Sequence, residues 1–354
     1  MLGEIRRPRR IGVATTTVLR SLAPMSQDHV DVQQAALDEH HEDPGDLPEM
    51  RARFEHNGSP RYLLYTIKRF GFDRDHGFHL DVELVSDALE DGIETVEELL
   101  QEGHADLIDI DYISIARERA GGADIVAFHP YGRTVGGLVA PEDSDIDGLE
   151  DLSGKRIGVV RRLDKNWILT RAACREFHDF DPDETATPVE AGSKVELTRM
   201  IREGDVDAGF QFWQIIPEIT ETGPYENVLP VSELVQRLSK TDNKLPIAPF
   251  LTSGEYLDEQ TETVRAFTDA YRDAVDKLVE DDEIWEEISE ELMSYDDPEV
   301  MRAVRDGWRD MVVRDWDEDS IDGMYRLFDH LKAVAGADAL GVEEIPEGTF
   351  EVDP

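Results

Sequence analysis

Two adjacent arginines lie where a polypeptide chain commonly binds an anion. Arg161 and Arg162 follow an apolar run that ends at Val160, and a predicted helix begins shortly afterwards, near Asn166. Helix N-termini carry unpaired N–H groups and partial positive charge, so guanidinium groups beside them favour an anionic ligand. The chain also contains 80 acidic residues against 36 basic ones. Two hypotheses remain open: the arginines bind an anion, or they pair with the protein's own carboxylates.

The segment 57–60, Asn-Gly-Ser-Pro, forms a second polar turn. Gly58, Ser59 and Pro60 follow a predicted strand and precede a predicted helix. A turn of this composition either exposes backbone N–H groups to an anion or only leads the chain into the helix. Both interpretations remain open.

The sequence contains no catalytic motif: the Gly-x-Ser-x-Gly elbow, the Walker and dinucleotide glycine patterns and His-Glu-x-x-His are all absent. Carboxylate pairs such as Asp109 and Asp111 are too common here to indicate an acid–base dyad. The single cysteine, Cys174, excludes an intramolecular disulfide and is predicted to be a buried, inert thiol. His76 and His79 lack a third metal ligand. No catalytic residue, metal site or cofactor is predicted.

The composition is strongly acidic, with a formal net charge of −44, and 40% of the residues are hydrophobic. That hydrophobic content predicts a folded protein, because it can form a core. The acidic surface argues against binding to nucleic acids or anionic membranes. Only 8 of the 36 basic residues are lysines. This balance is typical of a halophile's proteins, since molar salt screens the self-repulsion.

The first 24 residues differ from the rest. They contain five arginines and one glutamate, a net charge of +4, so residues 25–354 carry −48. Three interpretations are open: a twin-arginine export signal around Arg9-Arg10, a true start at Met25, or a disordered basic tail. The apolar run after Arg10 is short and is interrupted by Arg20. The sequence therefore favours a cytoplasmic location, and use of the signal would make the protein extracytoplasmic.

Residues from 49 onwards alternate strands and amphipathic helices, which predicts an α/β fold with a mostly parallel sheet. One series has strands at 50–54, 80–85, 105–110 and 125–128 and helices at 61–70, 93–101 and 113–119. A second series has helices at 166–177 and 194–203 and a strand at 206–210. The last part is predicted to be helical, at 262–279, 284–293, 298–308 and 320–335, and to pack on the first lobe.

Several motifs occur in an order that resembles a known family. These are Asn57-Gly-Ser-Pro, Gly71-Phe-Asp-Arg-Asp-His-Gly-Phe-His-Leu-Asp-Val-Glu-Leu84, Glu102-Gly-His-Ala-Asp-Leu107, Leu149-Glu-Asp-Leu-Ser-Gly-Lys-Arg-Ile-Gly-Val159, Glu203-Gly-Asp-Val-Asp-Ala208 and Tyr295-Asp-Asp-Pro-Glu-Val-Met301. Together they resemble the periplasmic-binding-protein-like (type II) solute-binding proteins of the sulfonate, nitrate and taurine group. That group includes thiamin-pyrimidine binding proteins. The resemblance covers about residues 50–345.

The resemblance implies two Rossmann-like lobes with a helical C-terminal tail. Residues 1–48 are expected to be a disordered extension, 49–132 with 250–345 to form lobe 1, and 133–249 to form lobe 2. The two crossings between lobes are expected near residues 129–132 and 246–252.

In such a fold the ligand lies at the carboxyl ends of the strands, beside helix N-termini. The residues expected there are Gly58, Ser59, Pro60, Asp109, Asp111, Tyr112, Arg161, Arg162, Asp164, Asn166, Trp167, Gln211, Phe212 and Trp213. Phe212 or Trp213 falls where the family often has a "Trp-Glu-Pro" element, although the glutamate is absent here. An aromatic ring there walls a ligand or packs in the core.

The implied function is a receptor for a small anionic or polar solute, such as a sulfonate, nitrate or pyrimidine, in an ABC importer. An exported receptor of this kind is expected to be a monomer that partners a permease. The alternative is a cytosolic enzyme on the same fold, similar to a thiamin-pyrimidine synthase or an aromatic-acid decarboxylase. The chain lacks the cysteine cluster of the pyrimidine synthases. An assembly or ligand-sensing protein without transport is a third interpretation.

Overall fold

The structure, a computed structural model, describes residues 27–40, 43–86, 95–133, 135–240, 244–293, 297–352 and 354. The strands are β1 Glu49–Glu55, β2 His79–Val85, β3 Ile108–Asp109, β4 Ile125–Gly132, β5 Gly137–Pro141, β6 Arg156–Val159, β7 Thr187–Glu190, β8 Ala208–Gln211, β9 Tyr225–Pro230 and β10 Ala248–Ser253. The helices are α1 Gln27–Asp38, α2 Pro60–Phe70, α3 Phe72–Asp75, α4 Val96–Gln101, α5 Tyr112–Ala120, α6 Lys165–His178, α7 Pro182–Thr185, α8 Lys194–Glu203, α9 Ile216–Thr220, α10 Val231–Ser239, α11 Gly254–Glu259, α12 Thr261–Glu280, α13 Glu283–Glu291, α14 Pro298–Met311, α15 Glu318–Ala335 and α16 Ala337–Leu340.

In the first lobe the strands lie in the order β2-β1-β3-β10-β4, as a two-stranded sheet β1-β2 beside a three-stranded sheet β3-β10-β4; together they are called the first sheet. β1 and β2 are parallel, and their alternating apolar residues are buried. A backbone bridge between Ala52 and Leu107 joins β1 to the start of β3. β10 is antiparallel to both β3 and β4. The predicted strand at 105–110 is therefore shorter than expected, with two residues in the ladder and a bridge before them.

The second sheet repeats this arrangement with the order β7-β6-β8-β5-β9. β6 is parallel to β7 and β8, whereas β5 is antiparallel to β8 and β9. Each sheet thus contains one antiparallel strand, β10 or β5, that directly follows a connection from the other sheet. The predicted α/β class with two similar lobes is confirmed.

The connections between the sheets lie slightly away from the predicted positions. His129 and Pro130 are inside β4, paired with β10, so the first connection begins after Gly132. The second includes residues 244–247, immediately before β10. At the first connection the backbones are very close: a Cβ on Gly136 would lie 1.7 Å from the Gln211 carbonyl oxygen, so only glycine fits there.

The C-terminal helices divide between the two lobes. α12 packs on α2, and Phe267 and Tyr271 are buried in the first lobe's core. In contrast, α15 packs on α6 and α10 of the second lobe, where Leu327 and Leu331 are buried with Trp167. An amphipathic pattern specifies an apolar face but not the surface that it covers, which is why the sequence suggested the first lobe for the whole tail.

Part of the expected N-terminal extension is folded. Within 1–48 the structure describes helix α1, whose Val30 and Leu37 are buried in the first lobe's core. Gln33 donates to the Leu292 carbonyl oxygen at 2.8 Å, and Gln34 donates to Val82 and accepts from the Leu84 amide. The expectation of disorder is therefore wrong for residues 27–38. The arginine-rich residues 1–24 and the suggested start at Met25 lie outside the described residues.

Candidate functional site

The N-termini of five helices line a cleft between the two lobes. Those of α2, α4 and α5 belong to the first lobe, and those of α6 and α8 belong to the second. The cleft has an empty volume of ≈ 840 Å³, part of which is open solvent. The first-sheet side is lined by Glu55, Gly58, Ser59, Pro60, Val96, Glu97, Asp109, Ile110, Asp111, Ser114 and Ala248, and the opposite side by Val160, Arg161, Asp164, Lys165, Lys194, Phe212 and Gln214.

The turn before α2 forms one edge of the cleft. The Gly58 amide donates to the Glu55 carbonyl oxygen at 2.7 Å, and a Cβ on Gly58 would lie 2.9 Å from that oxygen. The Ser59 hydroxyl accepts from Tyr131 at 2.9 Å and does not cap the helix. Pro60 occupies the first turn of α2, where its fixed φ fits the helix. The turn therefore both starts the helix and lines the cleft.

The strand β3 and the start of α5 contribute two carboxylates with different roles. Asp111 is the N-cap of α5: its Oδ1 accepts from the amides of Ile113 and Ser114, and its Oδ2 accepts from the Ser114 hydroxyl. Asp109 has no hydrogen-bond or ion-pair partner among the described residues. Asp109 is therefore a carboxylate available to a ligand, whereas Asp111 stabilises the helix.

On the opposite side, Arg161 and Lys165 lie close together in sequence and both face the cleft. Asp164 caps α6 through its 2.8 Å contact with the Asn166 amide, and Lys165 is the first residue of the helix. Lys165 is only 8% exposed, yet its ammonium has no hydrogen-bond or ion-pair partner among the described residues. The Arg161 Nε is likewise buried without a partner in the part of the chain that is described.

Lys194, the first residue of α8, connects the two walls. Its Nζ donates to the Glu55 carboxylate and, at 3.0 Å, to the Asn57 side-chain oxygen across the cleft. Gln214 adds a 3.1 Å hydrogen bond to the Asn57 carbonyl oxygen. The Phe212 ring lies beneath both lysines, with Nζ-to-centroid distances of 4.6 Å for Lys165 and 5.1 Å for Lys194. Cation–π contacts of this kind hold ammonium groups at an otherwise apolar wall.

Burial raises the pKa values of three carboxylates that line the cleft, those of Asp109, Glu97 and Asp164, because the surrounding protein excludes solvent. Burial, with a smaller contribution from Glu55, raises the pKa of Asp109 to about 7, against the opposing effect of Lys165 and Lys194. Burial also raises the pKa values of Glu97 and Asp164. A raised carboxylate pKa in a cleft is a common property of a binding or reaction site.

The structure brings together eight of the fourteen residues predicted for the site. These are Gly58, Ser59, Pro60, Asp109, Asp111, Arg161, Asp164 and Phe212. The sequence left open whether Phe212 or Trp213 faces a ligand, and the structure places the two rings differently. Phe212 lines the cleft, whereas the Trp213 ring lies against Gly307 of α14.

The other predicted residues are not among those that line the cleft. Arg162 forms an ion pair with Asp183 at 2.7 Å, so pairing with the protein's own carboxylate, the second hypothesis for the arginines, describes Arg162. Trp167 is fully buried and donates to Asp183, and Asn166 accepts from the Gly136 amide.

Gln211 is buried, and its side chain bonds to α8 through Lys194 and Thr198. Tyr112 is buried at the start of α5, and its amide donates to the Ile247 carbonyl oxygen. The expectation that the ligand lies at the carboxyl ends of the strands located these residues at the correct edge of the sheet. It could not decide which side chains face the cleft.

The cleft contains two lysines that were not predicted from the sequence, Lys165 and Lys194. A signal for them was present, since each follows an N-cap residue, Asp164 or Ser193. The helix dipole disfavours a cation at the first helical position. Two of the chain's 8 lysines at such positions therefore indicate a role other than helix stability. Glu55 and Gln214 were also missed.

The remaining candidate groups do not form a second reactive centre in the described part of the chain. Cys174 is fully buried, and burial raises the pKa of its thiol to about 12, in agreement with an inert thiol. His76 bonds to Asp273 at 2.7 Å, away from the buried His79. Within the described residues, no group of three or more His, Cys, Asp or Glu side chains is placed to hold a metal ion. None of the described helices is long and apolar enough to span a bilayer.

The family model described as "NMT1/THI5 like" matches residues 63–283. Among solved structures, the chain is similar to the alkanesulfonate-binding protein SsuA from Xanthomonas axonopodis pv. citri bound to MOPS. The TM-score is 0.65 with 16% identity, covering 85% of this chain and 95% of that one.

Two further solved structures are similar. The periplasmic aliphatic sulphonate-binding protein SsuA from Escherichia coli has a TM-score of 0.65 and 14% identity, with 85% of this chain and 90% of that one covered. A putative sulfonate ABC transporter's periplasmic sulfonate-binding protein from Methylobacillus flagellatus KT has a TM-score of 0.61 and 17% identity, with 86% and 92% covered. At these identities the likeness establishes the fold. No curated protein matches the sequence closely enough to count as a relative.

Proposed function

This chain belongs to the NMT1/THI5-like family, and we propose that it is a solute-binding protein that holds a small anion-bearing solute between its two lobes, as the receptor of an ABC importer. The family match agrees with the resemblance of the sequence to solute-binding proteins of the sulfonate, nitrate and taurine group. In the proposed role the protein binds and releases its solute without changing it chemically.

The observation that carries this proposal is a pair of cations on one wall of the cleft, Arg161 and Lys165, whose side chains have no hydrogen-bond or ion-pair partner among the described residues. In a chain whose acids outnumber its basic residues by 80 to 36, such cations are unusual because carboxylates are abundant. Burying an ammonium without a hydrogen bond costs folding free energy. A site that keeps two such groups is suited to receive an anion from solution.

The other features of the cleft fit a binding role. Helix N-termini direct partial positive charge into it, and Phe212 supplies an apolar wall on which the non-polar part of a solute can rest. The Lys194–Glu55 pair joins the two walls directly, so the lobes have a built-in contact for the closed state. Closure of two lobes around a ligand is the usual hinge motion of such an architecture.

The partner follows from the same proposal. The similar protein from Methylobacillus flagellatus KT is described as the periplasmic sulfonate-binding protein of a putative sulfonate ABC transporter, and the one from Escherichia coli as a periplasmic aliphatic sulphonate binding protein. We propose that this chain, as a monomer, delivers its solute to a membrane permease in the same manner.

The direct test is a thermal-shift screen of the purified full chain in molar KCl with sulfonates, nitrate, carboxylates and pyrimidines. Solutes that raise Tm are then measured by isothermal titration calorimetry. The proposal predicts at least one anionic solute that binds with a stoichiometry of one and is recovered unchanged after incubation. Absence of binding by every class would contradict it, and so would chemical conversion of the solute or lysine-bound pyridoxal phosphate in the purified protein.

A further inference from the structure

The C-terminal part of the chain joins the two lobes in a third place, beyond the connections that lead into β5 and β10. Helix α14 packs in the core of the first lobe, and the next helix, α15, packs on the second lobe. Between these helices, the backbone of Val312 forms an antiparallel bridge with Gly132 at the end of β4. The Val313 amide donates to the Tyr131 carbonyl oxygen at 3.0 Å. The last turn of α14 therefore lies beside the start of the first connection.

Both connections between the lobes are bound to one residue of that turn, Asp310. In the first connection, the Arg133 amide donates to the Met311 carbonyl oxygen at 2.9 Å. The Arg133 guanidinium donates to the Asp310 carboxylate and, at 3.2 Å, to the Asp310 carbonyl oxygen. In the second connection, the Lys244 ammonium donates to the same carbonyl oxygen at 2.5 Å and lies 3.8 Å from the carboxylate. Asp310 thus joins two stretches of chain that are far apart in the sequence.

The position of Asp310 in its helix is unfavourable without these partners. Asp310 is the next-to-last residue of α14, where the partial negative charge of the helix C-terminus disfavours an acid. The carbonyl groups of this turn also have no partner within the helix. Arg133 and Lys244 supply the turn with hydrogen-bond donors and positive charge. The Arg133 side chain is only 11% exposed, so its contact with Asp310 is less open to screening by salt than a surface ion pair.

The same two helices touch the second lobe and the second connection closely. Gly307 of α14 faces Trp213 of the second lobe, and a Cβ on Gly307 would lie 3.2 Å from the Trp213 ring. Glycine inside a helix is unfavourable, and this close approach accounts for it. A Cβ on Gly323 of α15 would lie 2.6 Å from the Leu245 side chain in the second connection. The C-terminal helices therefore contact the parts of the chain that move when the lobes change orientation.

We propose that Asp310 is a hinge clamp: by binding Arg133 and Lys244 together, it favours the orientation of the lobes seen in this structure, with or without a solute. One carboxylate holds both basic side chains only while the two connections keep their present spacing, and rotation of the lobes about the connections changes that spacing. The clamp sets how much of the protein has this orientation before a solute arrives. The inference goes beyond the proposed function, because it concerns the empty protein and residues outside the cleft.

Distances between the lobes test the clamp on the full chain, measured by double electron–electron resonance in molar KCl without solute. Spin labels are attached at Glu102→Cys in the first lobe and Glu184→Cys in the second, which are exposed positions, while the native Cys174 is fully buried. Asp310→Asn is expected to raise the ratio of other distances to the wild-type distance about 2- to 5-fold, the size expected for a partly exposed ion pair. Asp306→Asn, a similarly exposed carboxylate one turn earlier on α14, is the matched control and should leave the distances unchanged.

Lys244→Met, which releases one of the two connections, is the second test variant. It is expected to shift the distances in the same direction as Asp310→Asn, and the double variant should equal Asp310→Asn alone, because both changes break the same clamp. Unchanged distances in Asp310→Asn, or additive shifts in the double variant, would overturn the inference. The solute screen is independent: a distance shift with no solute bound refutes the proposed function and leaves the clamp, and solute binding with unchanged distances does the reverse. Circular dichroism of each variant establishes that it is folded.

Discussion

Arg161 and Arg162 are neighbours in the chain with opposite surroundings. Arg161 lines the cleft without an ion-pair partner among the described residues, whereas Arg162 pairs with Asp183. The sequence left two hypotheses open for these arginines, anion binding or pairing with the protein's own carboxylates, and the structure gives each arginine a different answer. The sequence could not decide between them, because side-chain direction in a loop depends on local backbone angles that no simple periodicity sets. Lys165 was predictable in principle from its position after an N-cap.

The arginine pair gives a matched mutational test. Arg161→Met is expected to weaken binding of an anionic solute about 10- to 100-fold, because it removes a charge-assisted contact in an enclosed site. Arg162→Met removes the same charge one residue away and is expected to change affinity less than about 3-fold. Calorimetric titration of both variants with the solute that binds most tightly measures the two effects. Equal losses would show that only the general positive potential matters.

The raised pKa of Asp109 predicts that the free energy of unfolding depends on pH. Its folded-state pKa of about 7 lies above the value of 3.8 for a free aspartate, so the native state holds this proton more tightly than the unfolded state. This group's contribution to stability is therefore lost as pH rises from about 4 to about 7. Asp109→Asn is expected to stabilise the protein at pH 8, by on the order of 1–3 kcal/mol given the partial exposure, and progressively less towards pH 4.

Denaturant unfolding of wild type, Asp109→Asn and the control Asp143→Asn, which changes an exposed carboxylate outside the cleft, checks this expectation between pH 4 and pH 8. An effect of Asp109→Asn that is independent of pH would mean that the Asp109 proton is not bound more tightly in the folded protein.

At the scale of elements, the alternating patterns predicted the strands and helices that position the cleft, including α8 with the boundaries seen in the structure. The segment with α9, β9 and α10 was not predicted, because its edge strand is half-buried and its first helix is short. The docking of α15 on the second lobe was also not predictable, since it depends on which apolar surface remains uncovered after both sheets have formed. Predicting this docking would have required knowledge of contacts between residues that are far apart in the sequence.

Helix α1 tests whether the segment before β1 belongs to the folded unit. Leu37 is 2% exposed in the core of the first lobe, and Val32 on the same helix is 62% exposed. Leu37→Ala is expected to lower the free energy of unfolding by about 2–4 kcal/mol, and Val32→Ala by less than about 0.5 kcal/mol. Chemical denaturation of both variants measures the difference. Equal, small effects would show that α1 contributes nothing to the stability of the lobe.

For the whole molecule, two lobes with the same order of strands place five helix N-termini at one cleft, and the chain carries a formal net charge of −44. The sequence predicted both lobes because each repeats the same order of patterns. It also predicted the salt requirement, which remains a prediction. The contact between Lys194 and Glu55 across the cleft was not predictable, since it depends on how the lobes are oriented.

The charge predicts strong stabilisation by salt. At about 0.1 M salt the Debye length is about 10 Å, and at 1 M it falls to about 3 Å, so repulsion among the surface carboxylates is screened. Tm is expected to rise steadily between 0.1 M and 2 M KCl. Circular dichroism during heating at each salt concentration measures this. A Tm that is high in dilute buffer and unaffected by KCl would contradict the assignment of the acidic surface to a saline environment.

The central claim is that Arg161 and Lys165 hold the anionic group of a solute inside the cleft. A crystal structure of the full chain with the most tightly bound solute of the screen tests it most directly. The account predicts electron density for the solute between the two sheets, with its anionic group within hydrogen-bonding distance of Arg161 and Lys165. Density at another surface, or an anion in the cleft that contacts neither Arg161 nor Lys165, would contradict the account.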